Sequence, residues 1–367
     1  MLASFLLIAV AVAGGVMPAP AASDEWPTAS PEDVGLAPDL GDKVDKAFAD
    51  GKLDNVHAVV LVRGGKLVLE RYRTGDDERL GRKKDGVVFG PESKHDVRSI
   101  TKSVVSLLYG IALNEGKVPA LDRPLVDSFP EYADLAGNQQ RRRMTVGHAL
   151  SMTMGIQWDE NRPYTDPLNS ELAMYRAADS YRFALDQPFV SEPGKTFNYS
   201  GGAPTLLARM IARGTETPLA AYAEQRLFAP LGIEDYEWVV AYYGEPLAAS
   251  GLRLRPRDLA KLGQLVLANG QWNGVQIVPA AWIAESTAPK IVVPQYAGTS
   301  YGYLWWLSEL GGRKVVEGAG NGGQELLIVP DLDLVLAMTA GNYNNPDAWK
   351  PAWALLEETV IPAVLKP

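Results

Sequence analysis

One stretch of this chain has to lie inside the folded molecule. From Ser99 to Asn114 the spacing predicts a helix ended by Gly116, apolar on nearly every side through Ile100, Val104, Val105, Leu107, Leu108 and Ile111. A surface helix keeps one polar face, so a helix that is apolar all round belongs in a core or a membrane. This one is shorter than the roughly 20 apolar residues a span needs. It therefore reads as the central helix of a globular fold, and 367 residues suffice to enclose it.

The segments that would enclose it come from both ends. His57–Arg63 and Lys66–Tyr72 are β-rich runs flanking Gly64-Gly65, a hairpin signal because the turn needs positive φ. Near the C-terminus, Glu325–Val329 and Leu334–Met338 pair through Pro330-Asp331, with Lys314–Val316 as a further strand. Leu40–Ala49 has helical spacing, and Asp347–Leu365 reads as an amphipathic helix with Trp349, Trp353, Leu356 and Val360 on one side. The middle of the chain is mostly helical in period, as in Thr145–Met152, Ser170–Leu185, Ala203–Arg213 and Leu219–Leu227. The expected fold is α/β (α+β), with one antiparallel sheet built from both termini and flanked by helices. Residues 23–117 and 249–367 would form that sheet domain, and 118–248 an inserted, mostly helical one.

Charge and composition remove several function classes. A net charge of −9 argues against nucleic acid or an anionic membrane as the main partner. The basic run Arg141-Arg142-Arg143 reads as a solvated face. The chain has no cysteine, which removes disulfides, thiolate metal sites and a cysteine nucleophile together. Its three histidines, His57, His95 and His148, stand far apart with no His-x-x-x-His pair, so no metal site and no cofactor is expected. At the N-terminus, Leu2–Val16 is an apolar run followed by Ala19-Pro20-Ala21, a small-x-small pattern, although no Lys or Arg precedes the run. Residues 1–22 therefore read as a signal peptide cleaved near Ala21/Ala22, with an uncleaved anchor as the alternative. A periplasmic or secreted protein without a stable membrane span after processing is expected.

Three places hold residues able to do chemistry. In Ser99-Ile-Thr-Lys102 the serine opens the buried helix, and a residue three positions on shares its face, which sets Lys102 beside the hydroxyl. Val97 and Arg98 before it read as extended. The helix N-terminus offers unpaired N–H groups and a positive end to an oxyanion. A lysine there can activate serine, directly or by holding a neighbouring phenolate. Tyr199, in Phe197-Asn-Tyr199-Ser-Gly-Gly202, sits on a glycine-rich turn before a helix, where it is either cleft-facing or simply packed on the surface. Gly318-Ala-Gly-Asn-Gly-Gly-Gln324 lies among strand-like runs and marks either a close approach to the backbone or a plain strand and turn. A Ser-His-Asp triad is disfavoured, since no Gly-x-Ser-x-Gly elbow is present.

In this order the motifs resemble the serine β-lactamase-like superfamily, in particular the class C β-lactamase/esterase branch that includes carboxylesterases, D-amino peptidases and 6-aminohexanoate-dimer hydrolase. The resemblance runs through Arg98-Ser-Ile-Thr-Lys-Ser103, Gly116-Lys-Val-Pro-Ala-Leu-Asp122, Met152-Thr-Met-Gly155 with Trp158-Asp-Glu160, Tyr199-Ser-Gly201, Ser250-Gly-Leu252, Tyr301-Gly-Tyr-Leu-Trp-Trp306 and Gly322-Gly-Gln324. It implies Ser99 as the acylated nucleophile, Lys102 as its neighbour, and Tyr199 as general base with its phenolate supported by Lys102. It also implies an oxyanion hole from the N–H groups of Ser99 and Asn321, and a substrate-facing Tyr164. Two positions depart from the family pattern: Gly201 stands where Asn is usual, and Gly318 where Lys or His is usual. Those side chains hold the amide and carboxylate of penicillins in members that recognise them. The expectation is a serine hydrolase acting on a small-molecule carboxylic ester or small amide. A β-lactamase or D-alanyl/D-amino peptidase is the nearest alternative, and a non-catalytic envelope-binding protein on the same fold is a third. The oligomeric state stays open.

Overall fold

The computed structural model describes residues 26–79, 81–241 and 244–365. Its centre is an eight-stranded antiparallel sheet drawn from both ends of the chain. From one edge the strands run Ile291–Val292, Ser300–Tyr301, Trp306–Leu310, Arg313–Gly320, Gln324–Val329, Leu334–Ala340, Val56–Arg63 and Lys66–Tyr72. The two ends of the sequence meet where Val56–Arg63 pairs with Leu334–Ala340, with Val60 opposite Ala337. The Gly64-Gly65 turn has φ of 59° and 70°, the backbone that a two-residue hairpin with right-twisting strands requires.

Alternation along each strand divides two cores. Val60, Val62, Leu326, Ile328, Val335 and Ala337 face the helices Ile100–Asn114 and Pro256–Leu267. Their neighbours Val59, Leu61, Leu327, Val329 and Leu336 face the helix Leu40–Ala49 and the C-terminal helical segment from Lys350. Both faces are therefore dry, and the central strands read as near-continuous apolar runs for that reason. Between Ile100 and Ala112 every residue of the central helix is buried. Small residues allow its close packing: a Cβ on Gly110 would fall 2.1 Å from the Trp282 ring, whose Nε1 donates to Ser106 O at 2.9 Å. The Gly202–Thr215 helix, from the helical middle of the chain, supplies Leu206, Leu207, Met210 and Ile211 to the same core.

Several expectations change on folding. The strand read at Lys314–Val316 extends from Arg313 to Gly320, so the small-residue stretch is itself part of the sheet. The single helix read over Ser170–Leu185 is two, Ser170–Arg176 and Ser180–Leu185, because the Asp179 carboxylate caps the second by accepting from the Tyr181 and Arg182 N–H groups. Arg98 is not extended but left-handed, with φ of 48°. The Arg141 to Arg143 run is not uniformly solvated: Arg141 is buried, donating to Leu185 O and Gln187 O, while Arg142 and Arg143 pair with Asp127 and Glu192 nearer the surface. The expected signal segment lies outside the described residues. Among those described, no helix is long and apolar enough to cross a membrane.

Candidate active site

The buried helix begins at a sharp turn. Val97 N–H donates to Leu252 O at 3.0 Å, and Arg98 then reverses the chain in the left-handed region. That conformation costs a non-glycine residue about 1–2 kcal/mol. Here the Arg98 guanidinium lies 4.5 Å over the Tyr343 ring and pairs with Asp96 at 3.4 Å, while Arg98 O accepts from Thr101 Oγ1 at 2.6 Å. The turn aims Ser99 outward at the helix start. Gly320 comes up against it, since a Cβ there would lie 2.5 Å from Val97 O and 3.1 Å from Arg98 Cβ. Only glycine lets the Arg313–Gly320 strand run this close, and it carries Asn321 to the end of the helix. Among the described residues, neither the Ser99 nor the Asn321 N–H has a backbone acceptor. The Asn321 side chain is tied down, accepting from Asn344 N–H at 2.8 Å.

Lys102 is 1% exposed and its Nζ has defined partners. It donates to Ser99 Oγ at 3.0 Å and to Ala249 O at 2.9 Å, and the Glu171 carboxylate stands 3.8 Å away. The Tyr199 ring lies with its centroid 4.8 Å from Nζ, stacked on Trp306 and meeting Tyr301 edge-on. The Tyr199 hydroxyl lies against Ser99. Burial and the Glu160 carboxylate raise the Tyr199 phenol well above its usual range, so it holds its proton at rest.

Two acidic residues complete the polar centre. Glu160 Oε1 accepts from Trp158 Nε1–H and from Gly201 N–H, and its Oε2 accepts from the Tyr164 hydroxyl at 3.1 Å. Burial, followed by the charge of Glu171, raises the Glu160 carboxyl to about 7. Glu171 accepts from Ser250 Oγ at 2.9 Å on Oε1, and its other oxygen is buried beside Lys102. Glu171 carried no role in the sequence reading, and Glu160 entered it only as part of a motif. A signal for Glu171 existed: after the Asn169 cap it shares a helix face with Met174, three residues on, and both are buried.

An open cleft of about 280 Å³ joins these groups, lined by Ser99, Tyr199, Asn321, Trp306, Tyr296 and Trp349 among others. Tyr164 lines it as expected. Gly201 and Gly318 do not. A Cβ at 201 would sit 2.6 Å from Glu171 Oε2, and one at 318 would lie 3.2 Å from Ile100 Cγ2, so both positions face packed groups. The cleft wall holds the Glu160 and Glu325 carboxylates, and among its described lining residues there is no Lys or Arg.

The Beta-lactamase family matches residues 49–359, most of the chain. The chain belongs to the beta-lactamase family. Within that family it is 26% identical over 331 residues to 6-aminohexanoate-dimer hydrolase of Paenarthrobacter ureafaciens, covering 84% of this chain and 76% of the relative. It is 27% identical over 224 residues to esterase EstB of Burkholderia gladioli, covering 59% and 55%. The fold is shared with EstCE1, a hydrolase with promiscuous acyltransferase activity, at a TM-score of 0.69 and 14% identity over 87% of this chain and 98% of that one. For a beta-lactamase family chain, a serine on a helix start, a lysine on its oxygen and two candidate N–H donors form a geometry suited to acyl transfer.

Proposed function

We propose that this protein is a serine hydrolase that cleaves a carboxylic ester or a small amide through an acyl-serine intermediate. The observation that carries the reading is the contact of 3.0 Å between Lys102 Nζ and Ser99 Oγ at the floor of an open cleft. In the first half-reaction Ser99 Oγ attacks the substrate carbonyl carbon. The Lys102–Tyr199 pair reacts in the state that has given up one proton: it takes the serine proton and passes one to the departing alcohol or amine as that bond breaks. The tetrahedral oxyanion is held by the N–H groups of Ser99 and Asn321, a share of catalysis commonly worth about 2.7–4 kcal/mol per donor. Water then attacks the acyl-serine, gives its proton to the same pair, and Ser99 Oγ leaves with one. Tyr199 acts here with Lys102 rather than as an isolated base.

The substrate class follows from the cleft wall. Penicillin-type substrates bring a carboxylate that needs a cation, and the described lining offers none. A neutral ester, or an amide without an adjoining carboxylate, is the better match, and the names of the curated relatives point the same way. Export to the periplasm or medium is part of the proposal and rests on the N-terminal sequence. A fluorophosphonate probe followed by peptide mass spectrometry tests the reading, with Ser99→Ala as control. Labelling of Ser99 is expected. Labelling at another serine would remove Ser99 from the mechanism, and no labelling at all would favour a non-catalytic binder.

A further inference from the structure

His95 lies four positions before Ser99, on the short strand His95–Asp96. His57 reaches it from the main sheet, and Asp77 from the strand Thr74–Arg79. His57 Nδ1 and His95 Nε2 are 2.9 Å apart, and Asp77 Oδ1 is 3.7 Å from His95 Nε2. Both histidines are buried, at 0% and 1% exposure, and Phe89 stacks on the His57 ring at 4.0 Å.

Hydrogen accounting at this cluster leaves a gap. His95 Nδ1 faces Asp96 O at 3.0 Å, and a carbonyl only accepts, so this nitrogen carries a hydrogen. His57 Nε2 faces Asn55 Oδ1 at 3.2 Å. The amide orientation is set by the backbone, because Asn55 Oδ1 accepts from Asp76 N–H at 2.8 Å while Nδ2 donates to Asp76 O at 2.9 Å. His57 Nε2 therefore also carries a hydrogen. A neutral imidazole has only one N–H. The two inner nitrogens then turn lone pairs on each other at 2.9 Å, with a carboxylate oxygen beside them. That arrangement repels itself unless a cation sits at its centre.

We propose that His57 Nδ1, His95 Nε2 and Asp77 Oδ1 bind a divalent zinc-type metal ion. Two imidazoles and one carboxylate are a borderline donor set that suits zinc. Tetrahedral bonds of about 2.0–2.1 Å place ligand atoms about 3.4 Å apart. Two of the three ligand–ligand distances, 2.9 and 3.7 Å, bracket that spacing, and all three ligand atoms lie within 4.8 Å of one another. The far nitrogen of each ring already donates to an oxygen, and the Tyr343 hydroxyl donates to Asp77 Oδ1 at 2.9 Å, the supporting shell that orients metal ligands. No sequence spacing announces the site, since its ligands come from three strands. None of the three lines the cleft. The ion would staple the segment leading into Ser99 to the main sheet and to the Thr74–Val88 hairpin.

The test uses the processed full-length protein after dialysis against EDTA. Zinc chloride, and separately cobalt(II) as a spectroscopic probe, are titrated while binding and melting are followed. One ion per chain is expected, with a cobalt(II) spectrum of nitrogen and oxygen ligation. The melting temperature should rise by about 5 °C at zinc concentrations about 100 times Kd. His57→Gln and Asp77→Asn should abolish binding. If those variants fold poorly, the wild-type titration still decides. Absence of zinc and cobalt(II) binding to the wild-type protein at micromolar concentration overturns the proposal. A metal-independent stability that falls as pH rises would then assign the central cation to a shared proton.

Discussion

Replacing Glu160 by Gln keeps its shape and removes its charge, and the contacts show that the exchange is accommodated. Both N–H donors, from Trp158 and Gly201, go to Oε1, which the amide oxygen of Gln can replace. The Tyr164 hydroxyl meets Oε2 at 3.1 Å, where the Gln amino group would donate to it instead. What changes is titration. The carboxyl is raised from 4.5 to about 7 by burial and by the Glu171 charge, with Lys102 the largest of the opposing influences. Between those pH values the folded chain keeps a proton that the unfolded chain has released. Stability therefore falls as pH rises from about 4.5 to 7, and the loss is complete above 7. At 1.36 kcal/mol per pH unit, the raised carboxyl destabilises the protein by up to about 3 kcal/mol at pH 8. Glu160→Gln should remove that penalty, leaving the variant more stable than wild type by an amount approaching this at pH 8. The gain should be much smaller near pH 5. Equilibrium urea unfolding of both proteins at the two pH values measures it. An equal difference at both, or a loss of stability at pH 8, would refute the reasoning that burial beside Glu171 sets this carboxyl.

Other consequences are as direct. Lys102→Ala and Tyr199→Phe should each lower turnover of a p-nitrophenyl ester by about 10² to 10⁴, the usual share of a proton-transfer group. The double variant should lose little more than the worse single one if the pair is one unit, and steady-state kinetics compares the three. Short-chain p-nitrophenyl esters should be cleaved with kcat/KM at least about ten- to a hundred-fold above a chromogenic cephalosporin, since a missing charge-assisted bond costs about 1.5–3 kcal/mol. Equal values would promote the β-lactamase reading. N-terminal sequencing of exported protein should begin near Ala22, and a full-length membrane-bound chain would contradict the leader assignment.

Features carried within one segment were legible in the sequence by itself. The Gly64-Gly65 hairpin, the Leu40–Ala49 helix and the buried helix after Ser99 follow from apolar period and turn chemistry, which act over a few residues. The Ser99–Lys102 contact belongs with them, because three positions along a helix is a fixed distance. A glycine-rich turn singles out Tyr199 locally, but its role rests on the order of motifs rather than on that turn. Contacts between segments were settled only by tertiary packing. Arg98 turns left-handed because Tyr343 and Asp96, distant or on the preceding strand, hold its guanidinium. Gly201 faces Glu171 and not the cleft because two separate helix starts meet there. The acidic pair beside Lys102, and the meeting of His57, Asp77 and His95, join residues far apart in the chain. Apolar periodicity says which face of a segment turns inward, but not which buried polar groups it will meet. That partner is chosen by how the sheet and the helices close on one another.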